Sequence, residues 1–197
     1  MGRGRSPRSA PTEPVAPSRP RGANDSEVSS RTWKGFAFRP LPAGSPEARR
    51  LFAYRAQWAP EPRPGELVWG AWVKATGTAE KGETDERIVA ALVIERNGAT
   101  GMIHGPVVSE VDEPLEVAAE LLAAAVAHAA AEGAAVLFAR PQGLDRVWVR
   151  LGFIPVPEAD LPDAFKGRPG AGLFGWRGGS ALWSTRKPDT VEAGRSR

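Results

Sequence analysis

Few side chains in this sequence can take up or release a proton near neutral pH, and their scarcity narrows the chemistry. Of 197 residues, two are histidine (His104 and His128), one is tyrosine (Tyr54) and none is cysteine. Disulfides, thiolate metal ligands and a cysteine nucleophile are therefore excluded. Two histidines also argue against a polyhistidine zinc site. His104 sits in the run MIHGPVVS (102–109). A neutral imidazole near pH 7 suits deprotonation of an ammonium group, although a lone strand histidine is more often structural. Glu95, on the preceding strand and across a hairpin, is its candidate carboxylate neighbour. Tyr54 falls at helical spacing with Leu51, Arg55 and Trp58, so it reads either as a packing ring with a wet hydroxyl or as a substrate contact. His128 reads as a helix-surface residue.

The elements that would position these residues are legible from periodicity and punctuation. Residues 34–41 alternate as a strand. Ser45-Pro46-Glu47 then supplies an N-cap, a first-turn proline and an acid for a helix running to about Trp58. Residues 67–74 (LVWGAWVK) read as a central strand, with Trp69 and Trp72 on opposite faces. A polar hairpin loop, 75–86, leads into the strand 88–95. Asn97-Gly98 turns the chain into a strand over 99–109, and Gly105-Pro106 predicts a bulge or splay within it. Leu115, Ala118, Leu121, Leu122, Ala125, Val126 and Ala129 form one helical stripe over 115–132, with Asp112 or Glu113 as cap and Gly133 as stop. A buried-type strand at 134–139 follows, then a short helix at 144–151, a short strand at 153–156, a Pro/Gly-rich excursion and a last strand at 180–186. A strand–helix–strand unit of this kind implies an α/β domain with a parallel or mixed sheet flanked by helices.

Residues 1–31 are rich in Pro, Ser, Arg and Gly and read as a disordered basic tail, and residues 188–197 read as a disordered tail. The domain is thus expected over 32–187. The pI of 9.7 is a terminal property: residues 1–31 carry a net +3 and residues 186–197 a net +2, leaving −2 of the formal +3 for the body. That distribution, with no helix rich in base-reading side chains, argues against nucleic acid as a partner. The alanine-rich helix is interrupted by Glu116, Glu120, His128 and Glu132, and the N-terminus lacks an apolar signal core. No membrane partner and a cytoplasmic location are the corresponding expectations.

The order of elements, the strand ending MIHGPVVS, the long helix just after it and WVRLGF (148–153) together resemble the GNAT superfamily of N-acetyltransferases over about residues 36–187. The resemblance implies a single-domain mixed sheet and acetyl-CoA as co-substrate. It implies that the strand at 102–109 splays to admit the pantetheine arm, with Val107, Val108 and Ser109 as cofactor-binding positions. It also implies His104 as general base, by its match to a strand histidine of arylalkylamine-type members, and an acceptor site on the side of Tyr54. The acceptor would be a small-molecule amine or a protein amino group.

Two departures accompany the resemblance. The loop that in the family cradles pyrophosphate reads Ser109-Glu110-Val111-Asp112-Glu113-Pro114 here, with three carboxylates and no glycine or arginine, which argues for weak or absent CoA affinity. The position where the family often has a thiolate-protonating tyrosine is Trp148. A catalytically inactive GNAT-like binding module, with a homodimer formed through the Trp-rich C-terminal strand, is the alternative these departures motivate. Trp176, beside Arg177, reads as an exposed ring for stacking or for a partner.

Overall fold

A computed structural model describes Met1 and residues 30–74, 86–169 and 182–185. The tails, the loop at 75–85, and Trp176 with Arg177 lie outside the described residues. The elements run β1 (Arg31–Trp33), β2 (Phe36–Leu41), α1 (Pro46–Tyr54), β3 (Leu67–Lys74), β4 (Glu86–Asn97), β5 (Thr100–Val108), α2 (Pro114–Ala131), β6 (Val136–Ala139), α3 (Asp145–Arg150), β7 (Ile154–Val156) and β8 (Leu182–Ser184), with 3₁₀ turns at Glu158–Asp160 and Asp163–Phe165. The strands form one sheet in the order β1-β2-β3-β4-β5-β6-β8-β7. Among the described strands only the β5–β6 pairing is parallel, as the α2 crossover between them requires.

The two sheet faces are covered by different helices. Under α2, Phe38, Trp69, Leu92, Ile94 and Ile103 pack against Val117, Leu121 and Leu122, and the cluster extends to Trp148 and Phe153. On the other face, Ala48, Leu51 and Phe52 of α1 pack against Val68, Ala91, Val93 and Val107. A third cluster gathers Met102, Phe138, Leu161, Phe165 and Leu182 at the β6 end. By length and hydropathy α2 could cross a bilayer, but nine of its residues are buried, which makes it the core helix of this sheet.

Three expectations need correction. α1 stops at Tyr54, not near Trp58: Arg55 caps it and Ala56 turns left-handed at φ 50°. Its buried residues are Ala48, Leu51 and Phe52, so Tyr54, Arg55 and Trp58 do not continue a packed helical stripe. Glu113 occupies the N-cap position of α2 but makes no side-chain capping bond; its carboxylate instead receives Lys34 Nζ at 2.8 and 2.9 Å. His128 is not a free surface group, because its Nδ1 accepts a 2.9 Å hydrogen bond from the indole of buried Trp69. Burial lowers the His128 pKa from 6.5, and Arg96 adds to the effect against the opposing charge of Glu132.

Order also begins slightly earlier than the composition suggests. Arg31 opens β1, which pairs with β2 through a tight turn at Lys34 and Gly35, both at positive φ.

Candidate active site

The bulge at Gly105-Pro106 organises the site. Along β4 and β5 the register jumps from Val93 opposite His104 to Ala91 opposite Val107, so two residues of β5 face one of β4. Gly105 sits at φ 89°, and a Cβ there would stand 3.1 Å from the Ala91 carbonyl oxygen and 3.2 Å from the Phe52 ring. Only glycine fits that close approach without strain.

On its other side β5 loses its neighbour. β6 pairs with Thr100–Ile103 and ends at Ala139, so residues 104–108 face open space where a strand would otherwise continue. A cleft of about 620 Å³ opens there. One wall is His104–Val108, another is Arg55–Trp58 beyond α1, and the third is Arg140 and Gln142 beyond β6, with Pro169 at the rim.

Backbone polarity along this edge follows from strand alternation. Ser109 N–H donates to Val89 O at 2.7 Å, so Val107 also faces β4. The amide and carbonyl of Val108 then point toward the unpaired side. Pro106 offers that side only a carbonyl.

The structure places the remaining anticipated residues as follows. Val107 is buried under α1, while Val108 is half-buried, and both line the cleft. Ser109 does not line it: its hydroxyl, like its amide, is spent on Val89 O, at 3.0 Å. Tyr54 is 68% exposed and also lies outside the lining, because α1 ends there and the chain turns away. Trp58, four residues on, takes the position facing the imidazole, with its ring edge-on to His104 at 5.2 Å. Trp148 is fully buried, donates its indole N–H to Pro141 O at 3.0 Å and packs on Phe153. It brings no group to the cleft.

His104 is 8% exposed and Glu95 2%. They lie on the same face of adjacent strands, with His104 Nε2 3.2 Å from Glu95 Oε2. The carboxylate is also clamped by two arginines. Arg168 Nε donates to Oε2 at 3.0 Å and its Nη2 to Oε1, and Arg63 Nη1 stands 3.2 Å from Oε1. Burial pushes the Glu95 carboxyl upward, but hydrogen bonds from His104 and Arg168, with their charge, outweigh it and bring it down to about 2. The same pairing raises the Arg168 guanidinium.

An ionised carboxylate can only accept. His104 Nε2 must therefore carry the proton of that contact, and the basic lone pair of the neutral ring is on Nδ1. No described residue hydrogen-bonds Nδ1. Geometry and tautomer thus leave a single imidazole nitrogen available for proton transfer, with its orientation held from behind by Glu95 and from the side by Trp58.

The arginine clamp was not anticipated from the sequence, because its members are far apart along the chain. Its local signal is the repeated tripeptide Arg63-Pro64-Gly65 and Arg168-Pro169-Gly170, with Arg140-Pro141 as a third Arg-Pro step at the cleft. A residue before proline is held extended, which suits a side chain projected from a loop. Arg140 uses both terminal nitrogens on Glu158, with Nη2 to Oε1 at 2.7 Å.

No protein-family model matches the sequence, and no curated protein matches it. Solved structures do match its fold. An acyl-CoA N-acyltransferase structure from Klebsiella pneumoniae superposes with TM-score 0.50 at 12% identity, covering 76% of this chain and 95% of that one. A GNAT-family acetyltransferase from Staphylococcus aureus gives 0.44 at 13%, covering 61% and 66%. N-acetylglutamate synthase from Neisseria gonorrhoeae, complexed with coenzyme A and N-acetyl-glutamate, gives 0.48 at 15%, covering 76% and 35%. The chain therefore spans about two thirds of the Staphylococcus protein and about one third of the Neisseria protein. The mixed sheet flanked by helices is thus a fold that this chain shares with the acyl-CoA N-acyltransferase structure from Klebsiella pneumoniae.

Proposed function

We propose that the protein is an acyl-CoA-dependent N-acyltransferase that transfers acetyl to an amine, with His104 as general base. The observation that carries this reading is the pairing of an open β5 edge with an oriented imidazole at the same cleft. Pantetheine amides would add to the edge at Val108, as a strand adds to a sheet edge. His104 Nδ1 would take a proton from the ammonium form of the acceptor. The nitrogen–carbon bond then forms, the carbon–sulfur bond breaks, and the nitrogen's remaining excess proton passes to the thiolate.

The phosphates meet a mixed environment. Glu113 is neutralised by Lys34, and Pro114 leaves the amides of Leu115 and Glu116 as the first donors of α2. Glu110 and Asp112, both exposed, still present charge of the wrong sign. Calorimetry with acetyl-CoA tests the reading: heat at micromolar to millimolar ligand is expected, and none at millimolar ligand would sink it.

A catalytically inactive binding module is the second reading. It is favoured by Trp148, whose buried indole leaves no hydroxyl to protonate a thiolate. Heat with CoA but no acetyl transfer to any amine, unchanged by His104→Asn, would establish it in place of the first.

A further inference from the structure

The cleft's charge pattern selects among acceptors. Among its described lining residues the ionic groups are the guanidiniums of Arg55 and Arg140; none is a carboxylate. Arg140 is matched by Glu158. Glu95, behind His104, faces two arginines and an imidazole, so it has no charge to spare for a substrate cation. Arg55 differs from both: its guanidinium has no ion-pair or hydrogen-bond partner among the described residues, and it stands on the cleft wall.

Its placement is built at a cost. Arg55 caps α1 through a backbone N–H bond to Leu51 O at 3.1 Å. Ala56 then turns left-handed at φ 50°, sending Gln57 and Trp58 along the wall. A non-glycine residue there is strained by about 1–2 kcal/mol. Three described residues other than glycine have positive φ; Lys34 is in a hairpin turn, and the other two, Ala56 and Gln142, both line this cleft. Strain of this sort persists where the surroundings hold it and gathers at binding sites.

We infer that the acceptor is an amine bearing a carboxylate, such as an amino acid, with the carboxylate paired to Arg55 and the amine directed to His104. A planar guanidinium matches a carboxylate through two parallel hydrogen bonds. A polyamine or a lysine-rich segment would bring a second cation to a wall whose described ionic side chains include no carboxylate to receive it. The inference rests on the acyltransferase reading for the role of the amine. Cofactor phosphates share the anionic chemistry, and the test separates the two sources.

The experiment uses the full chain with acetyl-CoA, the common L-amino acids, their α-amides and putrescine. Released CoA is read with a thiol reagent, which the cysteine-free protein does not consume. Saturation-transfer NMR reads amino-acid binding independently of turnover, and calorimetry reads CoA. At least one acid is expected to exceed its amide and putrescine by about tenfold or more in kcat/KM. Arg55→Gln is expected to raise the KM of that acid by about tenfold, with CoA affinity held within about twofold. Equal use of the amide or of putrescine overturns the inference, as does an Arg55→Gln variant that weakens CoA instead, or absence of amino-acid binding by both readouts. A CoA-null result with amino-acid binding that disappears in Arg55→Gln removes the acyltransferase reading and upholds the carboxylate site.

Discussion

At the scale of single residues, the Glu95 carboxylate is the hub. It fixes the His104 tautomer while two arginines take up its remaining acceptor capacity, so removing it disturbs both chemistry and stability. Glu95→Gln leaves Arg63 and Arg168 facing a neutral amide, and a loss of about 3 kcal/mol in urea unfolding is expected. Because the folded-state pKa is lowered from 4.5 to about 2, the unfolded chain binds the proton first as pH falls. The contribution is complete above 4.5 and disappears on the way to 2. Denaturation midpoints between pH 6 and 3 should fall more steeply in wild type than in Glu95→Gln. For His104→Asn, the expected outcome is a loss of kcat of about 100-fold or more, with calorimetric CoA affinity unchanged. A parallel loss of CoA binding would instead assign the ring a purely structural role.

At the scale of elements, the bulge of β5 and the early end of α1 together make the cleft, and they differ in how readable they were. Gly105-Pro106 announces itself, since proline cannot donate to a ladder and glycine tolerates the required φ. Gly105→Ala should cost about 2 kcal/mol or more in unfolding free energy, from the left-handed backbone and the contact with Ala91 O. The end of α1 is not announced. Arg55 and Trp58 continue the helical spacing, and nothing local marks Ala56 as left-handed; the docking of Trp58 on His104 is a tertiary fact. The same holds for the Glu95–Arg168 pair, which joins residues 73 positions apart. The order of strands and helices was legible because each carries its own period and stop signal, whereas the clamp depends on loops whose path no period encodes. The α2 cap shows a further limit, since an acid at the N-cap position was drawn away by Lys34 of the first hairpin.

At the scale of the whole molecule, the two helices attach to the sheet through different chemistry. α1 packs on the sheet through Ala48, Leu51 and Phe52 and makes its polar tie to a loop, Arg49 Nη2 donating to Pro60 O at 2.8 Å, while α2 adds polar ties to the first strands: Arg31 to Glu120 at 2.7 Å, Lys34 to Glu113, and Trp69 to His128. The exposed Lys34 pair should matter little, and Lys34→Gln is expected to change unfolding free energy by less than about 1 kcal/mol. His128 matters through pH. Its pKa is lowered on folding, so its share of stability is present above 6.5 and lost as pH falls below it. A melting temperature that declines between pH 7.5 and 5.5 in wild type, and less so in His128→Gln, is the expected result. The sheet order has a temporal consequence. β8 lies between β6 and β7 although it is later in sequence than both. During synthesis from the N-terminus, β2 to β5 can pair as consecutive neighbours as they emerge, but β7 has no strand to join until residues 182–184 arrive. β6 can pair with β5 before then, so a nascent chain can build the cleft's β5 and β6 walls while the β7 edge of its sheet is still unpaired.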